Sequence, residues 1–185
     1  MLNLQEQYNK EVVPVMMKKF GKKSVMAVPK LKKVVINSGF GKQVAAKTNS
    51  EREKIAEQIA EYLGMMTGQK AVIRKAKKSV AAFKLREGMS VGACVTLRGK
   101  RMYDFLEKLI GVALPRIRDF RGLSATAFSE QGDFSIGFKE YVPFPELRVE
   151  KEKGVFGLEV VVANTAKNKA EGEELLRLLG FPIKK

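Results

Sequence analysis

Residues 71–97 have the sequence AVIRKAKKSVAAFKLREGMSVGACVTL, and the class of fold follows from how this stretch is built. Ala71-Val72-Ile73 at its start and residues 91–97 at its end are short apolar runs typical of β-strands, and a basic segment joins them. Along the rest of the chain, further strands alternate with helical patterns. Paired strands with helices between them predict an α+β fold, in which a largely antiparallel sheet has helices packed on one face and the other face open.

The remaining elements are predicted from hydrophobic periodicity and from helix caps. Helices are expected at residues 4–20, 50–66, 102–113 and 168–179, and further strands at residues 34–37, 134–138 and 156–162. Pro14 predicts that the first helix is kinked or starts late. Ser50 with Glu53 predicts a capping box for the second helix. No repeat or low-complexity linker interrupts the sequence, so we predict one domain over residues 1–185.

Positive charge is concentrated in the first part of the chain. The whole sequence has 35 Lys and Arg against 20 Asp and Glu, a net charge of +15. Residues 12–101 hold 21 basic and 5 acidic residues, whereas residues 102–185 hold 13 of each. A generally basic, soluble surface does not predict this segregation. The pattern therefore favours a polyanionic partner, either nucleic acid or an anionic membrane surface.

Several kinds of site lack the residues that they need. The chain has no His, and its one cysteine, Cys94, lies in an apolar run. These counts exclude a Ser-His-Asp triad, an internal disulfide and the usual Cys/His zinc site. We therefore expect no enzyme activity, no metal and no cofactor. No apolar run approaches the ~20 residues that span a bilayer, and the first residues lack a signal-peptide pattern, so we expect a cytoplasmic protein with no membrane partner.

Residues 70–86 form the most basic segment, with seven Lys and Arg and no acidic residue. Within it, Lys75-Ala76-Lys77-Lys78-Ser79-Val80-Ala81 lies between the two strands. Small residues keep this loop thin, so its lysines are able to reach phosphates. A solvated hairpin tip is the alternative, but neighbouring cations repel one another unless an anion binds them. The segment favours contact with RNA.

Two other basic segments leave alternatives open. Residues 96–101 (TLRGKR) run from a strand into a helix, where Arg98 and the unpaired N–H groups of the helix start suit phosphate. An ordinary strand-to-helix turn fits them equally well. Residues 115–122 (PRIRDFRG) alternate Arg with apolar residues, and Asp119 offers a local partner. This second segment fits a structural Arg–Asp cluster nearly as well as a binding patch.

Six segments carry a family resemblance: residues 24–29 (SVMAVP), 75–81 (KAKKSVA), 83–88 (FKLREG), 95–102 (VTLRGKRM), 115–123 (PRIRDFRGL) and 144–146 (FPE). Together they resemble the bacterial form of large-subunit ribosomal protein five. They occur in the order found in that family, and the resemblance extends over residues 8–184. Because several of the segments are long and match the family at nearly every position, the match is specific.

The resemblance implies a structural constituent of the large ribosomal subunit that binds 5S rRNA and helps to attach it in the central protuberance. It also implies contacts with other large-subunit proteins and rRNA, with peptidyl-site tRNA, and with small-subunit protein thirteen across an intersubunit bridge. The sheet face left open would carry the 5S rRNA. Carried over by motif, the 5S rRNA contacts are Asn37, Gln69, Thr96 and Arg98. The tRNA contacts are Lys75, Lys77, Lys78 and Ser79.

The sequence departs from the family pattern in three places. Residues 44–50 are longer than in the shorter bacterial members, residues 128–133 lack an expected basic residue, and residues 147–150 replace a more acidic, Tyr-containing pattern. The last two fall in the region of the bridge contact. The rival hypotheses are a non-ribosomal basic RNA-binding protein, an RNA-processing enzyme, which needs a cleft of carboxylates, and a peripheral membrane protein, which needs basic residues opposite an exposed apolar helical face.

Overall fold

The computed structural model describes residues 3–45, 47–147 and 155–184, and these form helices and strands in the predicted order. The helices are α1 (Leu4–Gln7), α2 (Val13–Phe20), α3 (Gly41–Val44), α4 (Asn49–Thr67), α5 (Lys100–Lys108) and α6 (Lys169–Leu178). The strands are β1 (Leu31–Gly39), β2 (Val72–Lys75), β3 (Ser90–Leu97), β4 (Phe134–Phe138) and β5 (Leu158–Asn164). The short helix α3 is not among the predicted elements, and β1 is longer than predicted.

The first helical segment passes Pro14 without starting late. A π turn, Tyr8–Val12, joins α1 to α2, and its closing bond runs from the Val13 N–H to the Tyr8 carbonyl. Pro14 lies in the first turn of α2, directly after this widened turn. The regular helical hydrogen-bond pattern is therefore interrupted next to Pro14, the residue that has no N–H to donate. Helix α2 ends at Gly21, which adopts the left-handed conformation with a φ of 59°.

The capping box of α4 lies earlier in the sequence than predicted. The residue before the helix is Thr48, whose N–H donates to Glu51 Oε2 at 2.9 Å and whose hydroxyl donates to the same oxygen at 2.7 Å. The prediction of a Ser50–Glu53 box is therefore wrong. Both pairs have a hydroxyl residue three positions before a glutamate, so the motif alone does not choose between them. The hydrogen bonds from Thr48 lower the pKa of the Glu51 carboxyl below its usual value.

The strands form one sheet in the order β2-β3-β1-β5-β4, which confirms the predicted α+β class with an antiparallel sheet. β2 and β3 pair antiparallel, with Val72 opposite Cys94 and Arg74 opposite Gly92. The register shifts between Arg74 and Lys75, at the end of β2. The strand pair predicted from residues 71–97 therefore exists, and it forms one edge of the sheet.

The chain divides into two compact units, and each is assembled from segments distant in sequence. Unit 1 comprises Met1–Val34, Leu97–Ile136 and Val161–Lys185, and unit 2 comprises Val35–Thr96 and Gly137–Val160. Each unit has an aromatic cluster of its own. In unit 1 the rings of Phe128 and Phe134 lie 5.0 Å apart, and in unit 2 those of Tyr141 and Phe156 lie 4.7 Å apart.

Candidate RNA-binding surface

Two strands of unit 2 present polar side chains on the face opposite the core. In β1, Ile36 and Ser38 are fully buried, whereas Asn37 between them is exposed. In β3, Val95 is buried and the following residue, Thr96, is half-buried. Because successive side chains of a strand point to opposite faces, Asn37 and Thr96 both lie on the less covered face. We call this surface of unit 2 the sheet face.

Gln69 is tied directly to the strand that carries Thr96. It follows Gly68, whose φ of 65° ends α4, and it precedes β2. Its side-chain amide donates from Nε2 to the Thr96 carbonyl at 3.1 Å. Its own N–H donates to the Thr67 hydroxyl at 3.4 Å. The structure therefore brings together two of the predicted contacts, Gln69 and Thr96, and holds the first of them in a defined position.

Arg98 lies one residue beyond the end of β3 and is exposed. It belongs to unit 1, whereas Asn37, Gln69 and Thr96 belong to unit 2. The next residue, Gly99, has a φ of 58° and precedes α5. A side chain is strained at such a φ, so glycine suits the turn from β3 into the helix. Arg98 is therefore presented at a sharp change of chain direction.

Arg74 is a residue of the sheet face that the family motifs do not mark. It is exposed on β2, and its Nε donates to Cys94 Sγ on β3 at 3.0 Å. The sequence identifies Arg74 only as part of a basic segment. Its face depends on the cross-strand register, which places it opposite Gly92. A count of alternate positions from an assumed pairing of Val72 with Cys94 would have found it.

Gly92 allows the close approach of β3 to β1 beneath Arg74. A Cβ atom at this position would lie 3.1 Å from the Ser38 carbonyl oxygen and 3.9 Å from the Arg74 Cβ. The first distance is shorter than ordinary van der Waals contact, and the neighbour is backbone that the sheet holds in place. The sheet face therefore depends on the absence of a side chain at Gly92.

The lysine loop, residues 75–81, begins at Lys75, the last residue of β2, and continues as the first arm of a folded excursion that leads to β3. Val80 and Leu85 exchange two backbone hydrogen bonds of 3.0 and 3.1 Å, and the chain reverses through the 3₁₀ turn Ala81–Phe83. Nearer the strands, the Ala76 N–H donates to the Met89 carbonyl at 2.8 Å. The excursion thus has its own hydrogen bonds, and its tip lies beyond the lysines.

The charged groups of the lysine loop are presented to solvent. Lys75, Lys77 and Lys78 are exposed, and none forms an ion pair with another residue in the described part of the chain. Ser79 differs from them, because its hydroxyl oxygen accepts a hydrogen bond from the Glu87 N–H at 3.0 Å. The loop therefore offers three cations, while Ser79 also holds its backbone in shape.

A cleft of about 680 Å³ opens beside the tip of the excursion. It is lined by residues 39–43, Ala45 and residues 82–85, which include Lys42, Lys84 and the side chain of Phe83. The Phe83 side chain is 67% exposed. Lysine ammonium groups beside an exposed aromatic ring suit a nucleic acid, because the ammonium groups bind phosphates and the ring stacks on bases.

Other kinds of site find little support in residues 3–45, 47–147 and 155–184. They contain no group of three or more His, Cys, Asp or Glu side chains placed to hold a metal ion. No helix among them is both long enough and apolar enough to span a bilayer. Of the segment predicted to depart from the family pattern at residues 147–150, residues 148–150 lie outside the described part of the chain.

The sequence matches family models over most of its length. Residues 24–86 match the model of ribosomal protein L5, and residues 90–183 match the model of the C-terminus of the same ribosomal family. A curated relative from Acholeplasma laidlawii (strain PG-8A), named large ribosomal subunit protein uL5, is 51% identical over 180 residues and is matched over 97% of each chain.

The chain belongs to the ribosomal protein L5 family.

Membership of the L5 family confirms the predicted resemblance and the coarse function. The chain is a structural, non-enzymatic protein of the large ribosomal subunit, with rRNA among its partners, and it is located in the cytoplasmic ribosome. The hypotheses of an RNA-processing enzyme, a non-ribosomal RNA-binding protein and a peripheral membrane protein are therefore set aside.

Proposed function

We propose that this L5-family chain binds 5S rRNA through the sheet face and helps to attach it in the central protuberance. Asn37, Gln69 and Thr96 would make these contacts from unit 2, and Arg98 would add a guanidinium from the chain that follows β3. The whole chain would act as one RNA-binding domain. The observation that carries this proposal is the exposed amide of Asn37, set between the buried Ile36 and Ser38.

Neutral polar groups on strands suit a permanent, shape-selective partner. An amide or hydroxyl bonds RNA 2′-hydroxyls and phosphate oxygens without depending on charge alone. The Gln69–Thr96 bond fixes one of these groups before RNA arrives. A side chain that is already ordered loses less conformational entropy on binding than a free one does.

The lysine loop would meet a second RNA, the tRNA at the peptidyl site. Its three exposed lysines have no counter-ion among the described residues, so phosphates would neutralise them. A point charge at the end of a flexible side chain suits a partner that arrives and leaves during translation. Small-subunit protein thirteen would be the partner across the intersubunit bridge.

The 5S rRNA contact is tested by binding and melting measured on the same preparations. Asn37→Ala and Thr96→Ala should each weaken binding by the ~0.5–1.5 kcal/mol that one hydrogen bond contributes, with the melting temperature little changed. For the unaltered chain, log K should fall against log salt with a slope of roughly −3 to −5, as for about five neutralised phosphates.

Gln131→Ala is the matched control, because it removes an exposed amide from unit 1 that has no hydrogen bond to another described residue. It should leave 5S rRNA binding unchanged. Loss of stability in Asn37→Ala, with unchanged binding per folded molecule, would show that this side chain serves only the sheet. Equal affinity for a tRNA of similar length would remove the claim of shape selection.

A further inference from the structure

Unit 1 carries a second set of exposed cations, in the arginine loop, residues 115–122. Arg116, Arg118 and Arg121 are exposed, whereas Ile117 and Phe120 between them are half-buried. The alternation seen in the sequence therefore corresponds to alternate orientation, in which apolar side chains anchor the loop and guanidinium groups project outward. The 5S rRNA and tRNA contacts implied by the family resemblance do not use these residues.

The backbone of the arginine loop is held at both ends. At its start, the Ile117 N–H donates to the Leu114 carbonyl at 3.2 Å. After its end, Leu123 pairs with the C-terminal segment: its N–H donates to the Pro182 carbonyl at 2.8 Å, and its carbonyl accepts from the Lys184 N–H at 2.9 Å. Hydrogen bonds on both sides of a short segment limit its backbone conformations, so the positions from which the arginine side chains project are restricted.

Two residues within the loop adopt left-handed conformations that reinforce its shape. Asp119 has a φ of 56°, which is uncommon for a residue with a side chain, and Gly122 has a φ of 90°. A Cβ atom at Gly122 would lie 3.1 Å from the Pro182 carbonyl oxygen. Gly122 is therefore needed both for its conformation and for close approach to the C-terminal segment.

The arginines are not neutralised inside the protein. The closest approach of an acid is that of Asp119 to Arg118 at 3.8 Å, between neighbouring side chains that are 85% and 97% exposed. An ion pair so exposed contributes little. Arg116 and Arg121 form no ion pair with any residue in the described ranges. The structural Arg–Asp cluster allowed by the sequence is therefore reduced to one weak contact.

We propose that the arginine loop is a further RNA site, in addition to the sheet face and the lysine loop, and that it binds the phosphate backbone. Arginine presents a planar fork of N–H donors that matches two phosphate oxygens, and a held backbone limits the ordering that binding requires. Three guanidinium groups within six residues fit the repeated phosphates of one strand. This proposal rests on the proposed function only in taking RNA as the partner; the phosphates belong either to 5S rRNA or to the large rRNA.

Three variants separate phosphate binding from bulk charge. Arg116→Ala, Arg118→Ala and Arg121→Ala together remove the guanidinium groups, and the same three positions changed to Lys keep the charge without the fork. The matched control changes Lys18, Lys23 and Lys167 together to Ala, which removes equal charge from exposed side chains of the same unit. Far-ultraviolet circular dichroism and melting would establish that all three variants are folded.

Each variant is measured in two arms, which distinguish the two sources of phosphate. The first arm is binding to isolated 5S rRNA over a salt series. The second is incorporation of the tagged variant into large subunits in cells, followed by sedimentation. If 5S rRNA supplies the phosphates, the triple alanine variant should lose about 10–100-fold in affinity, and its salt slope should shrink by about 2–3. If the large rRNA supplies the phosphates, the affinity for 5S rRNA should stay normal and incorporation of the variant into large subunits should fall.

The outcomes also separate this proposal from that for the sheet face. If 5S rRNA supplies the phosphates, the variant with Lys at the three arginine positions should keep most of the salt slope but bind 5S rRNA less tightly than the unaltered chain. If the large rRNA supplies them, this variant should be incorporated less well than the unaltered chain. A triple alanine variant that matches the control in both arms would overturn the proposal. If Asn37→Ala leaves 5S binding intact while the arginine variant abolishes it, the sheet-face assignment fails and the arginine loop stands.

Discussion

The sheet face and the lysine loop lie in the same unit, yet they offer RNA different groups. Asn37 and Thr96 are uncharged and lie on strands, and the uncharged side chain of Gln69 is hydrogen-bonded to the backbone of β3. The lysine loop has three exposed ammonium groups that form no ion pair with another described residue. Uncharged groups in fixed positions recognise shape, whereas free charges recognise phosphate wherever it comes within reach. The difference predicts that the two surfaces respond differently to packing changes and to salt.

The largest expected effect is on the sheet face, from Gly92→Val. The added side chain would begin 3.1 Å from the Ser38 carbonyl oxygen, so β1 and β3 must separate locally. We expect a loss of about 1–3 kcal/mol in the free energy of unfolding, typical of an overpacked interior, together with weaker 5S rRNA binding. Urea denaturation and filter binding would measure the two effects.

The control for this change is Gly137→Val, a glycine of β4 in the same unit with no atom within 4 Å of an added Cβ. It should change stability much less than Gly92→Val does. Equal stability losses in the two variants would show that the close approach at Gly92 is easily relaxed. The sheet face would then not be the more rigid of the two surfaces.

The next effect concerns the lysine loop, with Lys75, Lys77 and Lys78 changed together to Ala. The variant should still enter the large subunit and bind 5S rRNA. Purified ribosomes should retain less tRNA at the peptidyl site, and the salt dependence of retention should shrink, by about one unit of slope for each phosphate that is no longer neutralised. Retention measured at several salt concentrations would test this.

A second triple variant controls for the loss of charge. Lys47, Lys54 and Lys139 are exposed lysines of the same unit outside the lysine loop, and their change to Ala should leave tRNA retention normal. Normal retention in the lysine-loop variant as well would favour a solvated hairpin. Loss of 5S rRNA binding in that variant would mean that the loop serves the other RNA.

The same two surfaces show what the sequence does and does not specify. The run Val34-Val35-Ile36 is enough to predict β1, because β-branched residues favour strands. The internal bonds of the lysine loop are not predictable in this way. The pairing of Val80 with Leu85 joins exposed or half-buried residues across a turn, and no hydrophobic period marks such a pair.

The candidate site residues also differ in whether the sequence alone predicts them. Asn37, Gln69, Thr96 and Arg98 come from motif resemblance, and the structure adds the bond between Gln69 and the Thr96 carbonyl. Arg74 needs the cross-strand register, which depends on contacts between strands and not on local pattern. The error at the start of α4 has a comparable cause, since hydrogen bonds and not the motif select Thr48 over Ser50.

The smallest expected effect concerns Gln69, and it tests whether this side chain contacts 5S rRNA or only links parts of the protein. Gln69→Ala removes the donor to the Thr96 carbonyl and a proposed 5S rRNA contact at once. We expect binding to weaken by about 0.5–1.5 kcal/mol, which corresponds to roughly a two- to tenfold change. The salt slope should stay as it is, because no charge is removed, and this separates the sheet face from the lysine loop.

Gln7→Ala is the matched control for Gln69→Ala, because Gln7 makes the same kind of bond within unit 1. Its Nε2 donates to the Leu178 carbonyl at 3.2 Å. Both variants lose one bond from a glutamine amide to the backbone, so their melting temperatures should fall by similar amounts. Only Gln69→Ala should weaken 5S rRNA binding. If both variants bind normally, Gln69 is a structural link between α4 and β3, and the proposed contact surface shrinks to Asn37, Thr96 and Arg98.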